Sequence, residues 1–245
     1  MTPETIVGTT DRAAETRARI LDSALHEFAA LGLAGARTER IANSAGVNKA
    51  LLYYYFESKE KLYAAALEMA ALRVRDSSLA VYESECSAGE RLLRAALNHF
   101  DRILGQREFQ SMMQQEMIRL HKGESSAMQF IVKKVFEPLL VTYRAMVSEG
   151  VTSGELIEAD WMQILLASLG ANVFYFLSAP IWRMVLEDDP LTCEALANRR
   201  RLLLEFLGLT IFTDRQRGRE LSAKVYADTP MPAIEKDRFE FGRKV

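Results

Sequence analysis

The sequence is poor in the features that catalytic and extracellular folds depend on. Of its 245 residues only Cys86 and Cys193 are cysteines, too few for a disulfide framework or a four-ligand metal site, and they fit lone thiols in a reducing cytoplasm. The three histidines, His26, His99 and His121, stand too far apart to form a local ligand cluster. Six prolines and thirteen glycines exclude collagen-like and low-complexity architectures. There is no Gly-rich phosphate loop, no His-Glu-x-x-His and no Gly-x-Ser-x-Gly elbow, so neither an enzyme nor a cofactor or metal is expected. No sign of charge dominates: 31 basic against 33 acidic residues leave −2, so any nucleic-acid contact must come from local placement. The polar first fifteen residues lack the apolar core of a secretory signal. Sustained alternation of apolar and polar residues, the mark of strands, is nearly absent.

Helical periodicity fills the space instead, and the expected fold class is all-α. Ile20, Ala24, Phe28 and Leu31 recur at helical spacing within residues 16–31, which end at Gly32. Two short segments, 37–45 and 47–56, flank Gly46, and Ser58 caps a long helix beginning at Lys59. Further helices are expected at 90–104, 108–122, 125–149, 160–177 and 192–212, with Pro138 kinking the third and Pro180 ending the apolar run of the fourth. From Asp214 to the end, charge together with Pro230 and Pro232 predicts a partly disordered tail, with Phe239 and Phe241 as weak docking points.

The segment from Thr38 to Phe56 carries the chemistry. Two short helices joined at a glycine form a helix-turn-helix. Ala45 is small at the helix contact, Gly46 ends the first helix in the left-handed region, Val47 buries the turn and Asn48 caps the second helix. Val47, Leu52, Tyr55 and Phe56 can then face a core, leaving Lys49, Ala50, Tyr53 and Tyr54 on the opposite face. A recognition helix brings its N-terminal residues to base edges in the major groove. Asn48 and Lys49 lie there, with Ala50 allowing close approach, while Tyr53 and Tyr54 offer hydroxyls to phosphate and flat faces to thymine methyls. Arg37 and Thr38 open the first helix beside its positive end, and Lys59 opens the following one, each within reach of phosphate.

These residues resemble the tetracycline-repressor (TetR) family of bacterial transcription regulators, from about Ala13 to Arg73. The signature positions are Ile41-Ala42, Ala45-Gly46-Val47, Leu52-Tyr53, Tyr55-Phe56 and Ser58-Lys59. The resemblance implies a DNA-binding domain at 13–73, an effector-binding and dimerisation domain at 74–213, and double-stranded operator DNA contacted by Arg37, Thr38, Asn48, Lys49, Ala50, Tyr53, Tyr54 and Lys59. It further implies a cytoplasmic homodimer, most simply a repressor released by a small apolar molecule. Asn48 stands where Ser or Thr is usual, Ala50 where Gly is frequent, Tyr54 where His is common, and Arg37 at the usual Ser/Thr cap of the first motif helix.

Beyond residue 73 no signature remains. Methionines and phenylalanines crowd the middle helices, which core packing explains as well as a plastic ligand pocket does. The family resemblance favours the pocket, with His99, Arg102, Met113, Glu116, Met117, His121, Phe136 and Tyr143 as candidate lining. From Trp161 to Trp182 no charged residue occurs. The run is long enough to cross a bilayer, but Gln163, Ser168, Asn172 and Pro180 interrupt it and no Lys/Arg bias sets a topology, so an interface helix is expected and no membrane. Small and apolar residues at helical spacing, Ala167, Gly170, Ala171 and Phe174, match a stripe of Leu202, Leu203, Phe206, Leu209 and Phe212, which can form a four-helix dimer interface. A helical ligand-binding or membrane-associated protein without DNA binding is the competing reading.

Overall fold

The computed structural model describes residues 4–233 other than 126 and 187, with side chains from residue 12 onward. Among these residues there are helices and one isolated bridge, Leu156 to Phe212, but no strand ladder. The chain divides into two compact units, Met1–Arg75 with Arg107–Glu137, and Asp76–Gln106 with Pro138–Val245.

The first unit begins with α1 (Glu4–Gly35), broken at Gly32, whose φ of 68° few side chains tolerate. Then come α2 (Thr38–Ser44), α3 (Lys49–Phe56) and the start of α4 (Lys59–Tyr82). Ile20, Ala24 and Phe28 of α1 are buried with Ile41, Leu52, Phe56, Leu62, Ala66 and Leu67. Phe28 meets Tyr63 edge-on with ring centroids 5.1 Å apart, a geometry that aligns the ring quadrupoles.

The boundary expected near residue 73 marks only the first crossing, because α6 (Arg107–His121) and α7 (Met128–Ile131) belong to the first unit. The break at Gly32 explains the return. It leaves carbonyls of α1 without their helical donors, and Ser111 Oγ and Gln115 Nε2 of α6 donate to the Ala29 carbonyl at 2.8 and 3.2 Å.

The single helix expected at 125–149 is α7, a π-helical turn at Val132–Phe136, and α8 (Glu137–Thr152). Pro138 has no N–H for the Lys134 carbonyl four residues back. The Arg75 guanidinium donates to that carbonyl instead, at 3.1 Å.

The second unit packs α5 (Ala88–Gly105) and α8 with α9 (Trp161–Leu165), a π-helical turn at Leu166–Gly170, α10 (Ala171–Val185), α11 (Cys193–Thr210) and α12 (Arg215–Asp228). Leu92, Leu93, Leu97, Phe100, Tyr143, Leu203, Leu204, Leu207 and Leu221 lie in its core. Pro180 does not end α10, which runs on to Val185. The Ser178 hydroxyl donates back to the Phe174 carbonyl, and the Trp182 indole N–H donates to that hydroxyl, stitching the turns across the proline.

Helix α12 lies within the stretch expected to be a partly disordered tail. Leu221, Ser222 and Val225 are buried, and a glycine contact brings the backbones of α11 and α12 together. A Cβ on Gly218 would stand 2.0 Å from the Gly208 carbonyl oxygen, so only glycine fits. The apolar spacing was weak because exposed charges surround it. Phe239 and Phe241 lie outside the described residues.

Glu90, nearly buried on α5, fixes α12 from the other side. It accepts from Lys224 Nζ at 2.9 and 3.0 Å and from Arg94 at 2.7 and 3.0 Å. Burial pushes its carboxyl up, but Lys224 and Arg94 together outweigh this and hold it below the usual value. A depressed carboxyl contributes stability above the unfolded-state pKa and loses it as pH falls through the folded one. Glu90→Gln is therefore expected to lose about 2 kcal/mol near neutral pH. The deficit against the parent should shrink at about pH 4 in urea unfolding; an unchanged deficit would mean the ion pairs are not what Glu90 contributes.

Candidate nucleic-acid interface and effector region

The turn chemistry read from the sequence is present in atomic detail. The Ala45 N–H donates to the Ile41 carbonyl at 2.9 Å, and Gly46 adopts φ 67°. The Leu51 N–H then donates to Asn48 Oδ1 at 2.7 Å, capping α3. Arg37 occupies the cap position of α2 without a side-chain cap bond; its own N–H donates to Glu27 Oε1 at 3.2 Å. Asn48→Ala should destabilise the motif by about 1 kcal/mol through loss of the cap. Asn48→Ser should restore it, as thermal melts of the two variants would show.

On α3, Leu52 and Phe56 are buried, with Val47 and Tyr55 half-buried beside them. Lys49 and Ala50 are exposed, and Tyr54 is 80% exposed. Tyr53 is half-buried, its phenol 3.3 Å from the Thr38 hydroxyl, which ties the two motif helices together. Lys49 reaches across to Glu39, and its ammonium stands 5.8 Å from the centre of the Tyr53 ring. That pairing lowers the Glu39 carboxyl and raises the Lys49 ammonium. Lys59 is half-buried and donates to the Ala34 carbonyl at 3.2 Å. The outward surface of α3 is thus a cation, a methyl group and a free phenol at the N-terminal end of a short helix, the composition that approaches base edges and phosphates.

The expected effector lining does not come together in one unit. Met113, Glu116, Met117, His121 and Phe136 belong to the first unit, and His99, Arg102 and Tyr143 to the second. Glu116 is buried and fully occupied by its own chain, accepting from Tyr63 Oη at 3.0 Å and from the Ser125 hydroxyl, with Arg119 at 3.5 Å. Met117 and His121 are exposed. Met112 and Met128 are buried in the first unit, which is the core-packing reading of the methionines.

In the second unit a buried polar group links α4, α5, α8 and α10. Arg102 donates to the Ser78 hydroxyl at 2.8 Å, and Asn172 approaches His99 at 3.5 Å. The Tyr143 and Ser168 hydroxyls are 3.3 Å apart, and the Tyr82 and Tyr143 ring centroids 5.6 Å. Ser78, Tyr82, Ser168 and Asn172 were not picked out from the sequence as ligand residues. Their signal was present, because Ser168 and Asn172 are polar interruptions of the uncharged run.

That run faces outward over much of its length. Phe174, Leu177, Ile181, Met184 and Val185 are 56–88% exposed, as are Leu202 and Phe206 of α11 at 42 and 57%. Ala167 is exposed, and Gly170, Ala171 and Leu209 are half-buried. Leu203 and Phe212, expected in the same stripe, are buried in the core, because they lie on the opposite side of α11 and beyond its end. The helical stretch Trp161–Val185 is long and apolar enough to cross a membrane by length and composition.

Helices α1–α3, with the third capped and facing solvent, have the helix-turn-helix architecture. Residues 20–66 match the model for bacterial regulatory proteins of the tetR family. The repressor SCO4008 of Streptomyces coelicolor is 51% identical over 53 residues, 22% of this chain and 28% of that protein. The regulator RutR of Escherichia coli is 54% identical over 48 residues, 20% of this chain and 23% of that protein. The chain thus matches these curated relatives over about a quarter of their length. Solved structures extend the likeness of fold. One of a Saccharomonospora viridis protein titled as a transcriptional regulator, in complex with choline, has a TM-score of 0.66 at 19% identity, over 82% of this chain and 100% of that one. FadR of Bacillus subtilis with stearoyl-CoA has a TM-score of 0.56 at 20% identity, over 78% of this chain and 96% of that one.

Proposed function

We propose that this protein is a cytoplasmic, homodimeric transcription regulator, a repressor that leaves a pseudo-palindromic operator when a small molecule binds its second unit. The observation that carries the reading is the outward surface of α3, where Lys49, Ala50 and Tyr54 stand free of the core. The exposed apolar face of α10 and α11 supports the dimer. Exposed apolar residues of this size mark an interaction site, and a second copy of the same helices could form a four-helix interface. Two recognition helices about 34–36 Å apart would then meet successive major grooves. The chain passes between its two units three times, after Arg75, Gln106 and Glu137. A ligand that favours one arrangement of the second unit can therefore shift the population of the first through continuous backbone.

The reading separates positioning from base readout. Lys59 opens α4 and serves as a phosphate contact, so Lys59→Ala should weaken operator and random DNA alike and flatten the salt dependence by about one unit per half-site. Lys49 lies at the start of α3, so Lys49→Ala should weaken the operator about tenfold or more and random DNA much less. Salt titrations of both variants on both DNAs test this. Absence of salt-dependent duplex binding by the parent protein would overturn the DNA-binding reading and favour a ligand-binding or membrane-associated helical protein.

A further inference from the structure

Arg102 is half-buried in the second unit and meets no counter-charge among the described residues. Among the described residues its side chain makes one hydrogen bond, from Nη1 to the Ser78 hydroxyl, and meets no carboxylate. Of the five N–H donors a guanidinium carries, the others are left for a further acceptor. This contrasts with Arg200 of the same unit, which is held by both oxygens of Asp101. A buried cation is ordinarily paired, because loss of hydration is otherwise uncompensated.

The groups around Arg102 are incomplete in the same sense. Asn172 is fully buried; its Nδ2 donates to the Ala96 carbonyl at 3.0 Å, while its Oδ1 has no partner. His99 lies against Asn172, and burial, aided by the nearby Arg102 charge, pushes its imidazole down to about 3. The ring is therefore neutral. With Nδ1 facing the Asn172 amide, it can present Nε2–H as a donor. Tyr82 is buried close enough to Arg102 for that charge to oppose the upward shift burial gives its phenol. The surrounding core, including Phe100 and Leu104, is apolar. Ser168 and Asn172 sit in and just after a π-helical turn, a local widening of the helix that is frequent at functional sites.

We propose that Ser78, Tyr82, His99, Arg102 and Asn172 form the polar end of the effector site, and that the effector is an organic acid with an apolar body whose carboxylate pairs with Arg102. This deepens the ligand-responsive reading above and rests on it. One cation, one neutral imidazole and one amide oxygen match a single negative charge with a neighbouring hydroxyl donor. They do not match a phosphate dianion, which calls for more cationic partners. An apolar effector without a charge, the simplest expectation from the sequence, would leave Arg102 unpaired.

The test uses the full-length protein and a probe set of medium-chain and aromatic monocarboxylates, octanoate and phenylacetate among them, with the matching alcohols and methyl esters. Binding is read by calorimetry and by thermal shift, and operator binding is measured separately. The expected result is that at least one carboxylate binds and stabilises the protein while its alcohol and ester do not. Arg102→Gln should weaken that binding about tenfold or more and leave the ligand-free melting temperature unchanged or raised, since it removes an unpaired charge that has lost much of its hydration. Ser78→Ala, a milder change, should weaken binding less and gives a second, independently folding variant. Equal binding of carboxylate and alcohol, undiminished binding by Arg102→Gln, or no binding by any acid at millimolar concentration would each overturn the proposal. A carboxylate that binds through Arg102 without altering operator affinity would uphold the site and overturn its role in releasing DNA.

Discussion

Arg200→Ala should unfold the second unit at a denaturant concentration well below that of the parent, with a loss of about 3–5 kcal/mol. Arg200 is 2% exposed, and its Nε and Nη2 donate to the two oxygens of Asp101 at 2.7 Å each. The same guanidinium donates to the Thr229 carbonyl at 3.2 Å and the Pro230 carbonyl at 3.4 Å, tying down the chain beyond α12. Truncation leaves Asp101 in the core without its counter-charge and frees that segment. Burial pushes the Asp101 carboxyl above its usual value, and Arg200 only partly opposes this. A raised carboxyl contributes stability below its unfolded-state pKa, and that contribution is lost as pH rises through the folded value. The deficit of Arg200→Ala should therefore be smaller in acid than at neutral pH. Replacing both partners, Arg200→Met with Asp101→Leu, should recover most of the loss, because the desolvation of the pair is removed with its attraction. A double variant as unstable as the single one would show that the carbonyl contacts, not the ion pair, hold the unit.

If the proposed dimer forms through α10 and α11, Phe174→Glu combined with Phe206→Glu should convert it to a monomer and lower operator affinity about a hundredfold or more, since each recognition helix would then bind without the effective concentration supplied by its twin. Both side chains are more than half exposed, at 62 and 57%, so the substitutions disturb little within one chain and thermal stability of the monomer should change little. Light scattering at micromolar concentration gives the mass, and binding to full and half operators gives the avidity. A full-mass dimer in the double variant would place the interface elsewhere. These phenylalanines report more directly than Gly170, which is half-buried in the π-helical turn and has room for a Cβ 3.9 Å from Leu166.

Local chemistry made the DNA-binding motif legible. A glycine at φ 67°, an asparagine three residues before the N–H it caps, and buried Leu52 and Phe56 four residues apart all act within one or two turns. Lys49 on the open face follows from the same helical period. The break at Gly32 was equally plain, since few other residues adopt its backbone.

The sequence by itself therefore determined the all-helical class, the helix-turn-helix and the apolar character of the segment from Trp161 to Val185. Only the tertiary structure decided which unit each helix serves, that residues 215–228 form a helix on α11, and that Leu202 and Phe206 face outward while Leu203 and Phe212 do not. Its decisions rest on contacts between residues far apart in the chain. The Arg200–Asp101 pair spans 99 positions and the Lys224–Glu90 pair 134. Whether an arginine finds a carboxylate or, like Arg102, is left with a hydroxyl depends on how distant helices stack, and no periodicity along one helix records it.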